Sequence, residues 1–152
     1  MATPAERAVG PDEAERLADI LEELPAGAVV TLAPGVYKVN LFIDKSVHLR
    51  GGAPGVVLDG KYRAPVLQVG KRDVDLIVEK LTLRRGSGSG VGDGGNVNVH
   101  KARSVTLREV ELLDGEAEAN GGGALRGVSG RVTLERCRFA GNRGARASTI
   151  LV

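Results

Sequence analysis

"RVTLERCRFAGN", residues 131–142, alternates apolar and polar positions, breaks for two residues, alternates again and ends on a turn residue. "SVTLREVELLDG" (104–115) and "DLIVEKLTLRRG" (75–86) repeat that line. Leu76, Val78, Leu81 and Leu83 stand above Val105, Leu107, Val110 and Leu112, and those above Val132, Leu134, Cys137 and Phe139. The offsets are 29 and then 27 residues. Val47 and Leu49 open the same line one repeat earlier, and "GGAPG" intervenes before Val56 and Leu58 complete it. Period-2 alternation marks a strand with one buried face, so each line describes two short strands meeting at a bend.

A second set of alternating pairs precedes the first: Val39 with Leu41, Leu67 with Val69, and Val97 with Val99, with Ala124 at the matching place in the next copy. Three short strands per repeat, with no helical stretch between them, predict the coils of a parallel β-helix. A βαβ unit would need a crossover helix that the Gly-rich connections do not supply. An antiparallel sandwich would not hold a constant offset. The predicted fold is therefore all-β: a single-stranded right-handed parallel β-helix solenoid of about five coils with an N-terminal α-helical cap.

The outward positions test that register. One column reads Arg50, Glu79, Arg108, Glu135; the next reads Lys80, Glu109, Arg136; beyond it Glu111 lies beside Arg138. Signs alternate from coil to coil, as in-register strands roughly 4.8 Å apart favour. These charges read as register pins rather than catalytic groups.

"PDEAERLADILEELPAG" puts Leu17, Ile20, Leu21 and Leu24 on one helical face, with Asp12 as cap, Glu15 three residues on, and Pro25 and Gly27 as the stop. Residues 1–11 are expected as a flexible N-terminus, 12–24 as a capping helix and 28–152 as coils, together one domain over 12–152. An amphipathic helix there would cover the first coil. The last stretch, "ASTILV", is an apolar strand with no cap after it, so Thr149, Ile150, Leu151 and Val152 are candidates for an oligomer interface, and a homo-oligomer is the expected partner state.

The 152 residues are 42% hydrophobic and 26% charged with a formal charge of +2, a balance that gives no basis for nucleic-acid or anionic-membrane binding. Only two Phe and two Tyr are present, few for a groove that stacks sugars or bases. One cysteine cannot form an internal disulfide. The first twenty residues lack a signal-peptide core, so the chain as written reads as cytoplasmic, or as extracellular if it is a fragment of an exported protein.

"LPAGAVVTLAPGVYKVNLFIDKSVHLRGG", residues 24–52, resembles the opening of the pectin-lyase-like right-handed β-helix superfamily through Pro34, Gly35, Tyr37, Asn40, Ile43, Lys45, Ser46, Leu49 and Gly51. "GGAL" (122–125) followed by "FAGN" (139–142) is similar to the paired motifs of chlamydial polymorphic membrane protein repeats, whose passengers are linked to adhesion. The superfamily resemblance spans roughly residues 12–152. It implies either a binding scaffold or a carbohydrate-active protein of the polysaccharide lyase class. The enzymes of that superfamily use clustered carboxylates, often with Ca²⁺ and an Arg base. This chain has no Asp-Asp pair, Gly-His-Gly, Asp-Pro-His-Asp or Arg-x-Pro-x-x-Arg, so no catalytic residue, metal or cofactor is assigned.

Two functional readings follow. The first is a non-catalytic scaffold or binding module that self-associates through its C-terminal coil. The second is a glycan-binding face along the column Asn40, Gln68, Asn98, with Asn96 and His100 beside it. Set against the second is an amide ladder that hydrogen-bonds only to the protein itself. "GSGSGVGDGGN" (86–96) resembles one copy of a Ca²⁺-binding nonapeptide, a site that needs tandem copies; it reads as a solvated loop. "DGKYRAP" (59–65) reads as a turn with Tyr62 between two cations. Cys137 reads as an inert buried thiol.

Overall fold

The structure is a computed structural model and describes residues 3–88, 94–118, 122–144 and 150–151, the last two through their backbone pairing only. Every strand pairs in parallel with its counterpart about one repeat away, giving a β-solenoid of about five turns. The first sheet stacks β1 (Glu6–Val9), β2 (Ala28–Leu32), β5 (Val47–Gly51), β8 (Asp75–Glu79), β12 (Ser104–Arg108) and β16 (Arg131–Glu135). The second stacks β3 (Gly35–Lys38), β6 (Val56–Asp59), β9 (Thr82–Arg84), β13 (Glu111–Leu113) and β17 (Arg138–Ala140). The third stacks β4 (Leu41–Ile43), β7 (Leu67–Gly70), β11 (Val97–Lys101), β15 (Leu125–Gly127) and β19 (Ile150–Leu151). A short fourth ladder joins β10 (Ser87–Gly88), β14 (Glu116–Ala117) and β18 (Arg143–Gly144).

The register follows the apolar columns. Val47, Leu76, Val105 and Val132 are successive partners, as are Leu49, Val78, Leu107 and Leu134. Leu58, Leu83, Leu112 and Phe139 form the matching column of the second sheet. Between the two strands of each line the chain turns through a left-handed residue: Lys80 (φ 59°), Glu109 (φ 52°) and Arg136 (φ 50°). That residue is one of the two in the break, and its N–H still bonds to the next coil, from Lys80 to Arg108 O at 3.0 Å and from Glu109 to Glu135 O at 2.9 Å. The ladder therefore runs through the bend at Lys80 and Glu109. Gly51 occupies this corner one coil earlier, where a Cβ would lie 2.0 Å from Lys80 O; only glycine allows that approach.

The third sheet corrects the expected pairing. Its inward column is Leu41, Leu67, Val97, Leu125, followed by Ile43, Val69, Val99 and Gly127. Val39 is buried too, but in the connection before β4, so the strand is Leu41 with Ile43 and not Val39 with Leu41. Leu125, not Ala124, is Val97's partner. Both misreadings arise at corners, where two consecutive residues (Val66 and Leu67, Ala124 and Leu125) are fully buried and alternation fails.

The N-terminal end is closed. Residues 6–9, expected within a flexible arm, form β1 and pair in register with Val29–Leu32. A 3-10 turn at Pro11–Arg16 leads into α1 (Leu17–Glu23). Leu17 and Ile20 are buried in the core, with Leu21 and Leu24 packed against it. Asp12 does not cap this segment. Gly10 occupies the N-cap, and Glu13 accepts its N–H at 3.5 Å. The Tyr37 hydroxyl reaches Ala33 O (2.6 Å) and Val9 O (3.2 Å), tying β1 to the first coil, and burial pushes its pKa up.

The C-terminal end differs. Val105, Leu107, Val110 and Leu112 are fully buried, whereas Val132, Leu134, Cys137 and Phe139, one coil on, are only half-buried. Cys137 is thus not the buried thiol expected; its Sγ donates to Leu107 O at 3.3 Å. Leu107→Ala is expected to lower stability by about 2–5 kcal/mol, the usual range for an enclosed leucine. Leu134→Ala should cost clearly less, because that side chain is already partly wet. Urea titration of the two variants measures the gap; equal losses would mean that the last coil is as well covered as the fourth.

Candidate functional site

The outer face of the third sheet was the candidate surface, and the structure divides its residues. Gln68 and Asn98 are register partners on β7 and β11. Asn40 is not in their column: Phe42 is, followed by Gln68, Asn98 and Arg126. Asn40 lies in the connection between β3 and β4. Its Nδ2 donates toward Ala64 O (2.9 Å), Gly60 O (3.1 Å) and Pro65 O (3.3 Å), clamping the next coil's loop. Asn98 is buried, and its Oδ1 accepts Gly94 N–H at 3.2 Å.

Asn96 points into the solenoid wall and is completely buried. Its Oδ1 accepts Gly86 N–H at 2.9 Å, while Nδ2 donates to Leu113 O at 3.1 Å and to Asn142 Oδ1 at 3.3 Å. Asn142 repeats the pattern, accepting Gly115 N–H at 2.9 Å and donating to Leu112 O at 2.8 Å. These amides replace ladder bonds where the chain turns a corner, so little of their capacity faces a ligand. His100 is exposed at a bulge: Val99 pairs Val69 and Lys101 pairs Gly70, leaving His100 as the extra residue. Of the expected interface residues, Ile150 and Leu151 form β19 beside Leu125 and Arg126, and Thr149 and Val152 lie outside the described residues. Residues 89–93 of the Gly-rich loop also lie outside them.

The charged columns pair along the solenoid as their register dictates. Arg108 approaches Glu79 (4.0 Å) and Glu135 (3.7 Å), and Arg136 lies 3.5 Å from Glu109. Arg138 pairs with Glu111, and Arg143 lies 3.7 Å from Glu116. His48 Nε2 contacts Glu79 Oε1 at 2.7 Å, and Arg50 instead donates from Nε to Thr31 Oγ1 at 2.9 Å. Arg103 and Ser104 both donate to Asp75, holding its carboxyl below the ordinary carboxylate range, with the Arg103 hydrogen bonds the main cause.

In "DGKYRAP" the sequence shows a turn with Tyr62 between two cations, open to protein contact or to no role, and does not reveal its anchor. Asp59 is almost fully buried, lies 3.0 Å from Arg84 and 3.5 Å from Arg85, and accepts the Lys61 N–H at 2.8 Å. It thereby holds two consecutive left-handed residues, Lys61 (φ 54°) and Tyr62 (φ 56°), with Arg85 over the Tyr62 ring at 5.3 Å. The signal was present in the outward column Lys38, Asp59, Arg84 of the second sheet, which alternates in sign like the others. Lys38, Lys61 and Arg63 line a groove of about 430 Å³ together with Asp12 and Glu15. The Lys38 charge, more than burial or Arg63, lowers the Lys61 pKa. Among the described residues no three His, Cys, Asp or Glu side chains are grouped so as to hold a metal ion.

No protein-family model matches this chain, and a search of curated proteins finds no match.

Two consequences are measurable. Asn96→Ala strands buried backbone groups and is expected to cost about 1–3 kcal/mol, against roughly 0.5 kcal/mol or less for Gln68→Ala, as read by thermal or chemical unfolding. Because the Asp75 pKa is depressed in the fold, its contribution is complete above the ordinary carboxylate pKa and disappears as pH falls through the lower folded value. The pair is partly exposed, so the stake is about 0.2–1 kcal/mol. Asp75→Asn should lose that much at pH 7 and show a shallower decline in stability between pH 4 and 2 (about one to two units around and below the ordinary carboxylate pKa). A parallel acid profile would contradict the assignment.

Proposed function

We propose that this chain is a non-catalytic β-helix scaffold, a binding module that self-associates through its C-terminal coil. The observation that carries this reading is the step in burial between the fourth and fifth lines of the solenoid, from fully enclosed Val105 and Leu107 to half-buried Val132 and Leu134. Among the described residues β16 and β17 are also the edge strands of their sheets, the position at which a further strand can pair. The other end is closed by β1 and α1, which makes the two ends of the described solenoid unequal. The polar chemistry supports a scaffold as well. Outward charges are spent on inter-coil pairs, and Asn40, Asn96 and Asn142 on main-chain groups. The finer likeness, to pectin-lyase-like helices wound right-handed, rests on the residues 24–52 motif and on the handedness that strand twist imposes on parallel crossovers.

A second reading, binding of an acidic glycan, draws on Lys38, Lys61 and Arg63 of the groove rather than on the amide column.

Light scattering across a hundredfold concentration range tests the first reading. A dimer or larger species is expected that Val132→Lys dissolves, while circular dichroism verifies that the variant keeps its strands. A monomer at every concentration would remove self-association and leave the groove to be tested by titration with an acidic oligosaccharide.

A further inference from the structure

We propose that two copies of the chain join by antiparallel pairing of β16 with its own counterpart, in the register that sets Thr133 on a two-fold axis. This deepens the self-association reading and rests on it.

β16 comprises five residues, Arg131-Val132-Thr133-Leu134-Glu135. Their columns fix their faces. Val132 and Leu134 continue the inward columns of Val105 and Leu107, and Arg131, Thr133 and Glu135 continue the outward columns of Ser104, Thr106 and Arg108. Turned end for end, the strand has the same pattern: charge, apolar, threonine, apolar, opposite charge. Antiparallel pairing about Thr133 sets Arg131 opposite the second copy's Glu135, Val132 opposite its Leu134, and Thr133 opposite itself. Directly opposed residues share a sheet face, so the apolar pairs lie on the core side and the ion pairs outside. A slip of one residue would oppose apolar to charged positions. A slip of two would leave Arg131 or Glu135 without its opposite charge.

The remaining geometry agrees. β16 is the C-terminal edge of the first sheet, and nothing among the described residues pairs with its outer side. A head-to-tail stack would have to meet the end where α1 and β1 already close the apolar column. A two-fold joins the open end to itself, a closed arrangement that stops at two copies. Glu135 stands 3.7 Å from Arg108 on its own chain, so the new pair would extend the column Arg50, Glu79, Arg108, Glu135 by one further alternation across the interface. The half-buried state of Val132 and Leu134 is then the state of a single copy, and pairing encloses them.

Charge exchange tests the register. In Arg131→Glu both interfacial pairs become Glu against Glu, and in Glu135→Arg both become Arg against Arg. Each single variant is expected to weaken the dimer about tenfold or more, estimated from two opposed pairs. An equimolar mixture of the two restores complementarity at both positions, so sedimentation should show a heterodimer tighter than either variant alone. Because Glu135→Arg also faces Arg108, a second test avoids the charges. In a Cys137→Ser background, Thr133→Cys should cross-link into a disulfide dimer under mild oxidation, since opposed Cα atoms lie roughly 4.5–5.5 Å apart, within disulfide reach. Thr106→Cys, one coil inside the same column, should not. A dimer with neither complementation nor cross-linking would overturn this register and leave self-association standing. A monomer throughout would overturn both.

Discussion

The parallel backbone ladder between successive coils is the constraint on which the rest of this molecule depends. Each strand inside a sheet is bonded to the strand about one repeat before it and the strand about one repeat after it, and each edge strand to one of these, so no coil completes its hydrogen bonds alone. This locks the register, and the register decides which side chains stack. Leucine and valine columns fill the interior, and outward columns must alternate in charge or repel. The left-handed corner residues Lys80, Glu109 and Arg136 show how strict the demand is. Each carries a long charged side chain in a conformation that normally favours glycine, and at Lys80 and Glu109 the amide still finds its carbonyl in the next coil.

The same constraint explains where polar side chains are used. At other corners the strand bonding is interrupted, and asparagine amides take over the missing partners: Asn40 toward the 60–65 loop, Asn96 toward Gly86 and Leu113, Asn142 toward Gly115 and Leu112. Asp59 does so with a carboxylate, holding the turn at Lys61 and Tyr62. An amide or acid in such a wall is a piece of backbone supplied by a side chain. A face that resembles a recognition surface in sequence is then mostly a structural seam.

The columns of the first two sheets were legible in the sequence because alternation there is uninterrupted: Leu76 above Val105 above Val132 needs only counting. The third sheet was less legible. Its strands are short and begin at corners, where Val66 with Leu67 or Ala124 with Leu125 bury two neighbours at once, so Val39 and Leu41 flanking Asn40 mimicked a strand. The closed N-terminal end was read correctly from the helical spacing of Leu17 and Ile20. Strand β1 was missed, because "ERAV" gains its strand character from pairing with β2 and not from its own pattern. The half-burial of the last coil was invisible to pattern alone, since Val132 and Leu134 occupy the same periodic places as their fully enclosed predecessors. Burial depends on what lies above a residue, and a local period does not encode that.

The proposed two-fold pairing would complete the fifth coil as the parallel ladder completes the others. Amide hydrogen exchange, resolved by residue and followed over a concentration series, addresses it most directly. The account predicts strong, concentration-independent protection in β8 and β12, and protection in β16 that rises as the protein is concentrated. Protection in β16 that stays constant across the series, whether high or low, would contradict it.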